Sequence, residues 1–208
     1  GCLHEGHKKL ISESIINNSI TVVSIFINPH QFNNSSDLKS YPVSINEDLN
    51  LLRDLKVDYV IIPTKKMLYP DNYRFKITKN NIENTIEGKA RPGFFEGVLT
   101  VVLKFLLLVK PDTAYFGEKD FEQYELIKSL AQAFLLDCDI KMISTVREDS
   151  GLAYSSRNKR LTLEEKKLAA NIYYWLKNEP NKDKVILSLE KKGFEVEYVK
   201  EYNKRRFI

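Results

Sequence analysis

Two histidines stand three residues apart in Gly1-Cys2-Leu3-His4-Glu5-Gly6-His7, and far downstream the chain carries Gly151-Leu152-Ala153-Tyr154-Ser155-Ser156-Arg157-Asn158. His4 and His7 fall where an apolar-periodic helix begins, marked by Leu10, Ile11, Ser14 and Ile15. The first turn of a helix leaves backbone N–H groups unpaired, and its dipole favours an anion there, so phosphate chemistry suits this position. Gly6 lets a ligand approach the backbone closely. In the downstream cluster, Ser155, Ser156 and Arg157 supply two hydroxyls and a permanent guanidinium charge, a set suited to phosphate oxygens whose charge shifts during displacement. Taken singly, each half is ambiguous. The histidine pair fits a phosphate site, a metal site or surface histidines, and Ser-Ser-Arg-Asn also fits an ordinary polar turn. Taken together they read as two halves of one nucleotide-binding clamp.

The elements that must position these groups alternate along the chain. Residues 20–27 (Ile-Thr-Val-Val-Ser-Ile-Phe-Ile) form a mostly apolar, β-branched run, as expected of a parallel strand covered on both faces, and the run ends at Asn28-Pro29. A helix is expected over residues 46–55, with Leu49, Leu52 and Leu55 on one side, then a strand over 59–62 stopped by Pro63. A second round follows: helix 97–109, strand 113–116, helix 121–136 and strand 140–146. This order predicts a doubly wound, Rossmann-like α/β fold with a parallel sheet. Ligands of such sheets collect beyond the carboxyl ends of the strands. Three polar clusters fall there: Asn28-Pro29-His30-Gln31-Phe32, Gly117-Glu118-Lys119-Asp120 and Val146-Arg147-Glu148-Asp149.

Bulk properties narrow the class. The 208 residues carry 32 Lys+Arg against 28 Asp+Glu, a net charge of +4, which argues for no nucleic-acid partner without a clustered basic patch. Lys204-Arg205-Arg206 is such a cluster and reads as a solvated tail. Cys2 and Cys138 make neither a disulfide framework nor a zinc pattern, so a cytoplasmic location is expected. The most apolar stretch, residues 98–109, is interrupted by Lys104 and falls short of the roughly 20 residues of a membrane span. No membrane partner and no signal peptide is expected. The tyrosines and phenylalanines read most simply as core packing. Composition alone places a linker at residues 178–183.

Several further segments extend the pattern: Ser24-Ile25-Phe26-Ile27-Asn28-Pro29-His30-Gln31-Phe32, Asp37-Leu38-Lys39-Ser40-Tyr41-Pro42, Met67-Leu68-Tyr69-Pro70-Asp71, Gly88-Lys89-Ala90-Arg91-Pro92-Gly93, Phe95-Glu96-Gly97-Val98 and Phe116-Gly117-Glu118-Lys119-Asp120. With the two terminal motifs, and in this order, they resemble the pantoate–β-alanine ligase (pantothenate synthetase) family of the His-x-Gly-His nucleotidyltransferase superfamily. The resemblance implies a Rossmann-like ATP- and pantoate-binding domain over residues 1–146 and a smaller α+β lid domain over residues 147–208. It implies ATP-dependent condensation of pantoate and β-alanine through a pantoyl adenylate, with ATP as co-substrate, Mg²⁺ as cofactor and a homodimer as the assembly. It implies that Gly1, Cys2, Leu3, His4, Glu5, Gly6, His7, Gly117, Glu118, Lys119, Asp120, Val146, Tyr154, Ser155, Ser156 and Arg157 line the ATP site. His7, as proton donor, with His4, Lys119 and Arg157 would be catalytic, protonated or hydrogen-bond-donating at the phosphates. Gln31 and Gln123 would bind pantoate, with Asn28 nearby; an amide can donate to a carboxylate and accept from a hydroxyl. Glu47 and Asp48 are the metal expectation, set against a role in starting a helix.

The chain departs from the family pattern at Phe94, where histidine is usual, at Val43, where arginine is usual, and at Tyr154, where methionine is usual. Losing one charge-assisted hydrogen bond typically costs about 1.5 to 3 kcal/mol, enough for Phe94 to slow turnover. Family chains also carry a first strand before Gly1 and more sheet after Ile208, so the expectation is a truncated C-terminal domain and a first domain lacking its opening strand. A catalytically impaired relative that only binds nucleotide, and a nucleotidyltransferase acting on another small acid, are the alternatives.

Overall fold

Helices and strands alternate from the first histidine onward in the computed structural model, which describes residues 1–202 and 205–208. Two compact units divide the chain, Gly1–Thr145 and Val146–Ile208. In the first unit the order is α1 (Glu5–Asn17), β1 (Val22–Ser24), α2 (Ser35–Ser40), α3 (Ile45–Asp54), β2 (Tyr59–Ile61), α4 (Lys65–Leu68), α5 (Ile86–Ala90), α6 (Phe94–Val109), β3 (Thr113–Gly117), α7 (Phe121–Ala133) and β4 (Asp139–Ile143).

The fold is α/β with parallel strand pairing. β1 runs parallel to β2 in the register Val22 to Tyr59 and Ser24 to Ile61, and β3 runs parallel to β4 from Thr113 to Asp139 through Gly117 to Ile143. Among the described residues these parallel strands form two ladders rather than one. The regular part of the first apolar run is shorter than the expected 20–27. The Thr21 N–H is taken by Asp58 Oδ2 at 2.8 Å, and after the Ile25 N–H donates to the Ile61 carbonyl at 2.9 Å the chain leaves the ladder for a 3-10 turn at Pro29–Gln31. β4 likewise stops at Ile143, not at 146.

Apolar spacing explains the packing. Ile11 of α1, Ile25 and Leu52 of α3 form one core, flanked by Leu3, Ile45 and Val60. Leu68, Tyr69 and Val101 form a second, flanked by Phe26 and Phe105. α6 begins at Phe94, earlier than expected, because Gly93 at φ +80° supplies the left-handed entry, and it ends before Pro111, which cannot continue a helix. Its Val98, Leu99, Leu103 and Leu106 are buried, and Lys104 donates to the Leu68 carbonyl at 2.6 Å. Among the described residues no helix is long and apolar enough to cross a membrane.

The second unit contains α8 (Leu163–Asn178), α9 (Lys182–Glu190) and an antiparallel hairpin of β5 (Lys200–Tyr202) and β6 (Arg205–Phe207). Thr162 and Glu165 close a reciprocal capping box at the start of α8. Val185, Leu189 and Val199 are buried with Trp175, Leu176 and Phe194 packed on them. The expectation of a solvated basic tail is corrected at Arg206. Its guanidinium donates to the carbonyls of Leu176, Glu179 and Pro180 and pairs with Glu201 at 2.8 Å. The end of a helix leaves carbonyls unpaired and carries negative dipole, so a fork of donors is drawn there. Lys204 lies outside the described residues. The same contacts make residues 178–183 the turn between α8 and α9 inside one unit, not a linker between units.

Candidate functional site

The histidine pair forms its own helix cap. His4, in extended conformation, is the N-cap of α1: its Nδ1 accepts from the Gly6 N–H at 3.2 Å, and His7 Nδ1 accepts from the His4 N–H at 3.3 Å. The two rings lie 3.9 Å apart between centroids. This is a capping box in which imidazoles replace the usual hydroxyl and carboxamide. The hydrogen bonds also decide the tautomer. A ring nitrogen that accepts from a backbone N–H carries no proton, so each neutral ring bears its proton on Nε2.

Electrostatics hold both rings neutral. Burial is the largest cause for each, and the positive charge of Lys119 adds to it; His7, which also feels His4, is pushed down to about 3. At neutral pH the lowered pKa leaves His7 a neutral hydrogen-bond donor in the ligand-free chain. What the site presents is a pair of neutral Nε2–H donors at a helix N-terminus, beside a lysine charge.

The end of β3 supplies that charge. Glu118, Lys119 and Asp120 make a 3-10 turn that leads directly into α7, and Glu118 Oε2 accepts from the Thr145 N–H beyond β4 at 3.2 Å. Lys119 and Asp120 form a 3.4 Å ion pair with both side chains about half exposed, the kind of pair worth about 0 to 1 kcal/mol. Lys119 lowers the pKa of both histidines, and at His4 Asp120 opposes it.

The turn after β1 places the expected substrate residues. Asn28 is buried, and every polar atom of its amide is used. Nδ2 donates to the Gly97 carbonyl at 3.0 Å and to Gln31 Oε1 at 3.3 Å, while Oδ1 accepts from the Tyr69 hydroxyl at 2.9 Å and from the His30 N–H at 3.3 Å. With its oxygen occupied, Gln31 has its amide nitrogen as the donor for an acceptor on a ligand. α6 approaches this turn most tightly at Gly97, where a Cβ would stand 2.2 Å from the His30 carbonyl oxygen. Gln123 sits in the first turn of α7, half-buried. His30 stacks on Tyr73 at 3.7 Å and 6°, with Tyr69 edge-on at 4.9 Å, which makes it an aromatic packing residue of the loop.

Two features escape sequence reasoning. Glu122, next to Gln123, accepts from the Ile86 and Glu87 N–H groups, both at 2.8 Å, and so caps the short α5. The departure at Phe94 has a structural partner: the Arg91 guanidinium lies 3.5 Å over the Phe94 ring and pairs with Glu87 at 3.3 Å. Phe94 thus serves as a platform that orients a cation.

Glu47 and Asp48, the expected metal pair, differ in burial and in contacts. Glu47 is exposed, whereas Asp48 is 2% exposed with Oδ2 accepting from the Cys2 N–H at 2.7 Å and Oδ1 from the Leu3 N–H at 2.6 Å. Among the described residues no group of three or more His, Cys, Asp or Glu could hold a metal ion. The signal for Asp48 is in the sequence: it shares a helix face with Ile45, Leu52 and Leu55, and a carboxylate on an apolar face must find donors.

The other expected nucleotide residues lie in the second unit. Tyr154 N–H donates to the Val146 carbonyl at 3.1 Å, and Arg147 bridges to Ala153 across a turn in which Gly151 takes φ +89°. Ser155 caps the following 3-10 turn, Ser156–Arg160, accepting from the Arg157 N–H at 3.3 Å; Ser156 is buried and Arg157 exposed. Asn158 ties the turn to the Ala153 carbonyl at 3.0 Å.

Comparison with known proteins gives a consistent result. The family model described as pantoate-beta-alanine ligase matches residues 1–207. A pantothenate synthetase of Coxiella burnetii is 47% identical over 207 residues, covering 100% of this chain and 80% of the relative. One from Bdellovibrio bacteriovorus is 44% identical over 208 residues, covering 100% and 83%. Among solved structures, the pantoate-beta-alanine ligase of Francisella tularensis, complexed with beta-gamma ATP and beta-alanine, superposes with a TM-score of 0.93 at 39% identity, over 100% of this chain and 84% of that one. Pantothenate synthetase from Thermus thermophilus superposes with a TM-score of 0.87 at 32% identity, over 96% and 77%.

Proposed function

The chain belongs to the pantoate–β-alanine ligase family and condenses pantoate with β-alanine to pantothenate; from that premise we propose that the histidine loop, the end of β3 and the Ser155-Ser156-Arg157 turn bind and cleave ATP. The observation that carries this assignment is the histidine capping box, which sets two neutral Nε2–H donors at the start of α1 within the field of Lys119.

A carboxylate is a poor acylating group. In the first step a pantoate carboxylate oxygen bonds to the α-phosphorus of ATP, and the bond to the bridging oxygen breaks with its electron pair, releasing pyrophosphate and leaving pantoyl adenylate. The amine of β-alanine, freed of its extra proton, then attacks the acyl carbon and expels AMP. Neither step requires a protein nucleophile. Alignment and fixed positive charge suffice. His4 and His7 donate hydrogen bonds to phosphate oxygens, Lys119 and Arg157 supply charge, and Ser155 and Ser156 add hydroxyl donors. Gly1 to His7, Gly117 to Asp120 and Val146 are assigned to ATP in a nucleotide domain read as residues 1–146, and Tyr154 to Arg157 are assigned to ATP in a lid domain read as residues 147–208. Gln31 and Gln123 hold pantoate, with Asn28 keeping Gln31 in place.

Mg²⁺ is assigned to ATP as a companion of its phosphates, because Asp48 has both carboxylate oxygens engaged. A homodimer is the proposed assembly, and the cytoplasm, which suits ATP-driven synthesis and a chain whose two cysteines make no disulfide framework, the proposed compartment.

Pyrophosphate exchange into ATP tests the reading. Exchange that requires pantoate and Mg²⁺, followed by AMP and pantothenate release when β-alanine is added, is the expected result, and the same preparation sediments as a dimer. ATP binding without exchange, or exchange driven by another small acid in place of pantoate, would overturn it.

A further inference from the structure

We infer that Asp48 is a positioning residue of the ATP site, a carboxylate clamp that grips consecutive N–H groups of the histidine loop and so sets where His4 and His7 point, and not a metal ligand. The inference rests on the ligase reading above.

A carboxylate that is 2% exposed on an otherwise apolar helix face is costly unless its oxygens are satisfied. Here they are: Cys2 N–H donates to Oδ2 at 2.7 Å, Leu3 N–H to Oδ1 at 2.6 Å, and the Ser44 hydroxyl lies 3.4 Å from Oδ1. Both backbone contacts are short and charge-assisted, the stronger class of hydrogen bond. The grip is tight enough that a Cβ on residue 1 would stand 3.0 Å from Oδ2.

Cys2 adopts φ +61°, the left-handed region that residues other than glycine enter only when their surroundings hold them there. The clamp supplies that hold. It takes the N–H groups on either side of the bend, and the next residue is His4, whose Nδ1 and N–H both belong to the capping box. Beneath the loop, Leu52 of α3 packs with Ile11 of α1. The helix bearing the clamp and the helix bearing the histidines are therefore joined at two levels, one polar and one apolar. Oδ1 already takes two donors and Oδ2 one, on a side chain only 2% exposed, so an inner-sphere Mg²⁺ that keeps several waters would have to open the loop to reach it.

The test uses Asp48→Asn, which keeps the shape but replaces one acceptor with an NH2 group facing a backbone donor. Pantoate-dependent pyrophosphate exchange should fall roughly ten- to hundredfold, with no change in the Mg²⁺ concentration giving half-maximal rate. A wild-type rate, or a rate restored by raising Mg²⁺ or substituting Mn²⁺, overturns the inference. Should Asp48→Asn not fold, Ser44→Ala serves: removing the hydroxyl beside Oδ1 should slow exchange about two- to tenfold, and an unaltered rate counts against the clamp. Proton NMR titration of the His7 imidazole separates this inference from the ligase assignment. Even in a protein that performs no exchange, loosening the loop should raise the His7 pKa in either variant; an unmoved titration overturns the clamp, whereas absent wild-type exchange overturns only the enzymatic reading.

Discussion

Replacing His7 with alanine is expected to slow pantoate-dependent adenylate formation by about 10²- to 10³-fold, the usual effect of deleting one preorganised donor from a site of developing charge. Stability should fall by only about 1 kcal/mol, the cost of a lost helix cap, because the His4 N–H loses its acceptor while α1 keeps the His4 cap. Glutamine at this position can accept that N–H through its oxygen and offer its amide N–H outward, so His7→Gln should recover much of the lost rate. Stopped-flow or exchange kinetics on the two variants, with thermal denaturation alongside, make the comparison.

The same residue dictates a pH response. Its folded pKa, about 3, lies below the 6.5 of an unhindered imidazole, with burial the largest cause. Between those values the unfolded chain binds a proton that the folded chain refuses, so His7 withdraws stability as pH falls from about 6.5 toward 3. Above 6.5 it contributes no slope. The rate of adenylation should likewise show no limb from His7 between pH 5 and 8. A kinetic ionisation near 6.5 that disappears in His7→Gln would mean that the working species is the imidazolium.

Asn28→Asp is expected to be the most damaging isosteric change in the first unit, destabilising it by about 3 to 5 kcal/mol at neutral pH, as uncompensated buried charges do. The new oxygen would replace Nδ2, facing the Gly97 carbonyl and Gln31 Oε1, two acceptors, with no donor and almost no water. The Tyr69 hydroxyl and the His30 N–H, both donating to Oδ1, soften the penalty without removing it. Because burial of this kind favours the protonated acid, the folded variant should bind a proton before its unfolded chain does. Its deficit relative to the wild type should therefore shrink as pH is lowered from 7 to 5, which chemical denaturation at the two pH values reads directly. A deficit that stays the same or grows on acidification would mean that the loop relaxes and admits water. Pantoate affinity should weaken as well, since Gln31 loses the donor that orients it.

The local content of the chain foretold much of this. Alternation of apolar runs is a property of consecutive residues, so α1, α3, β2, α6, β3 and α7 could be read to within a few residues, along with the placement of His4, Lys119, Asn28 and Gln31 at the starts and ends of elements. Ordered motifs over nearly the full chain identified the ligase family, since so many residue types in one order do not recur by chance. What tertiary structure alone decided depends on groups brought together from afar. Asp48 meets Cys2 and Leu3 from 46 and 45 positions away in the chain, so its grip on two peptide N–H groups is invisible to spacing. The pKa of His7 is lowered chiefly by burial, which a motif does not record, with neighbouring His4 and distant Lys119 adding to it. Arg206 finds the carbonyl end of α8 rather than solvent because a hairpin carries it there. Sequence order names the chemistry a residue type can perform; protonation, partner and orientation follow from the dielectric and the donors that folding gathers around it.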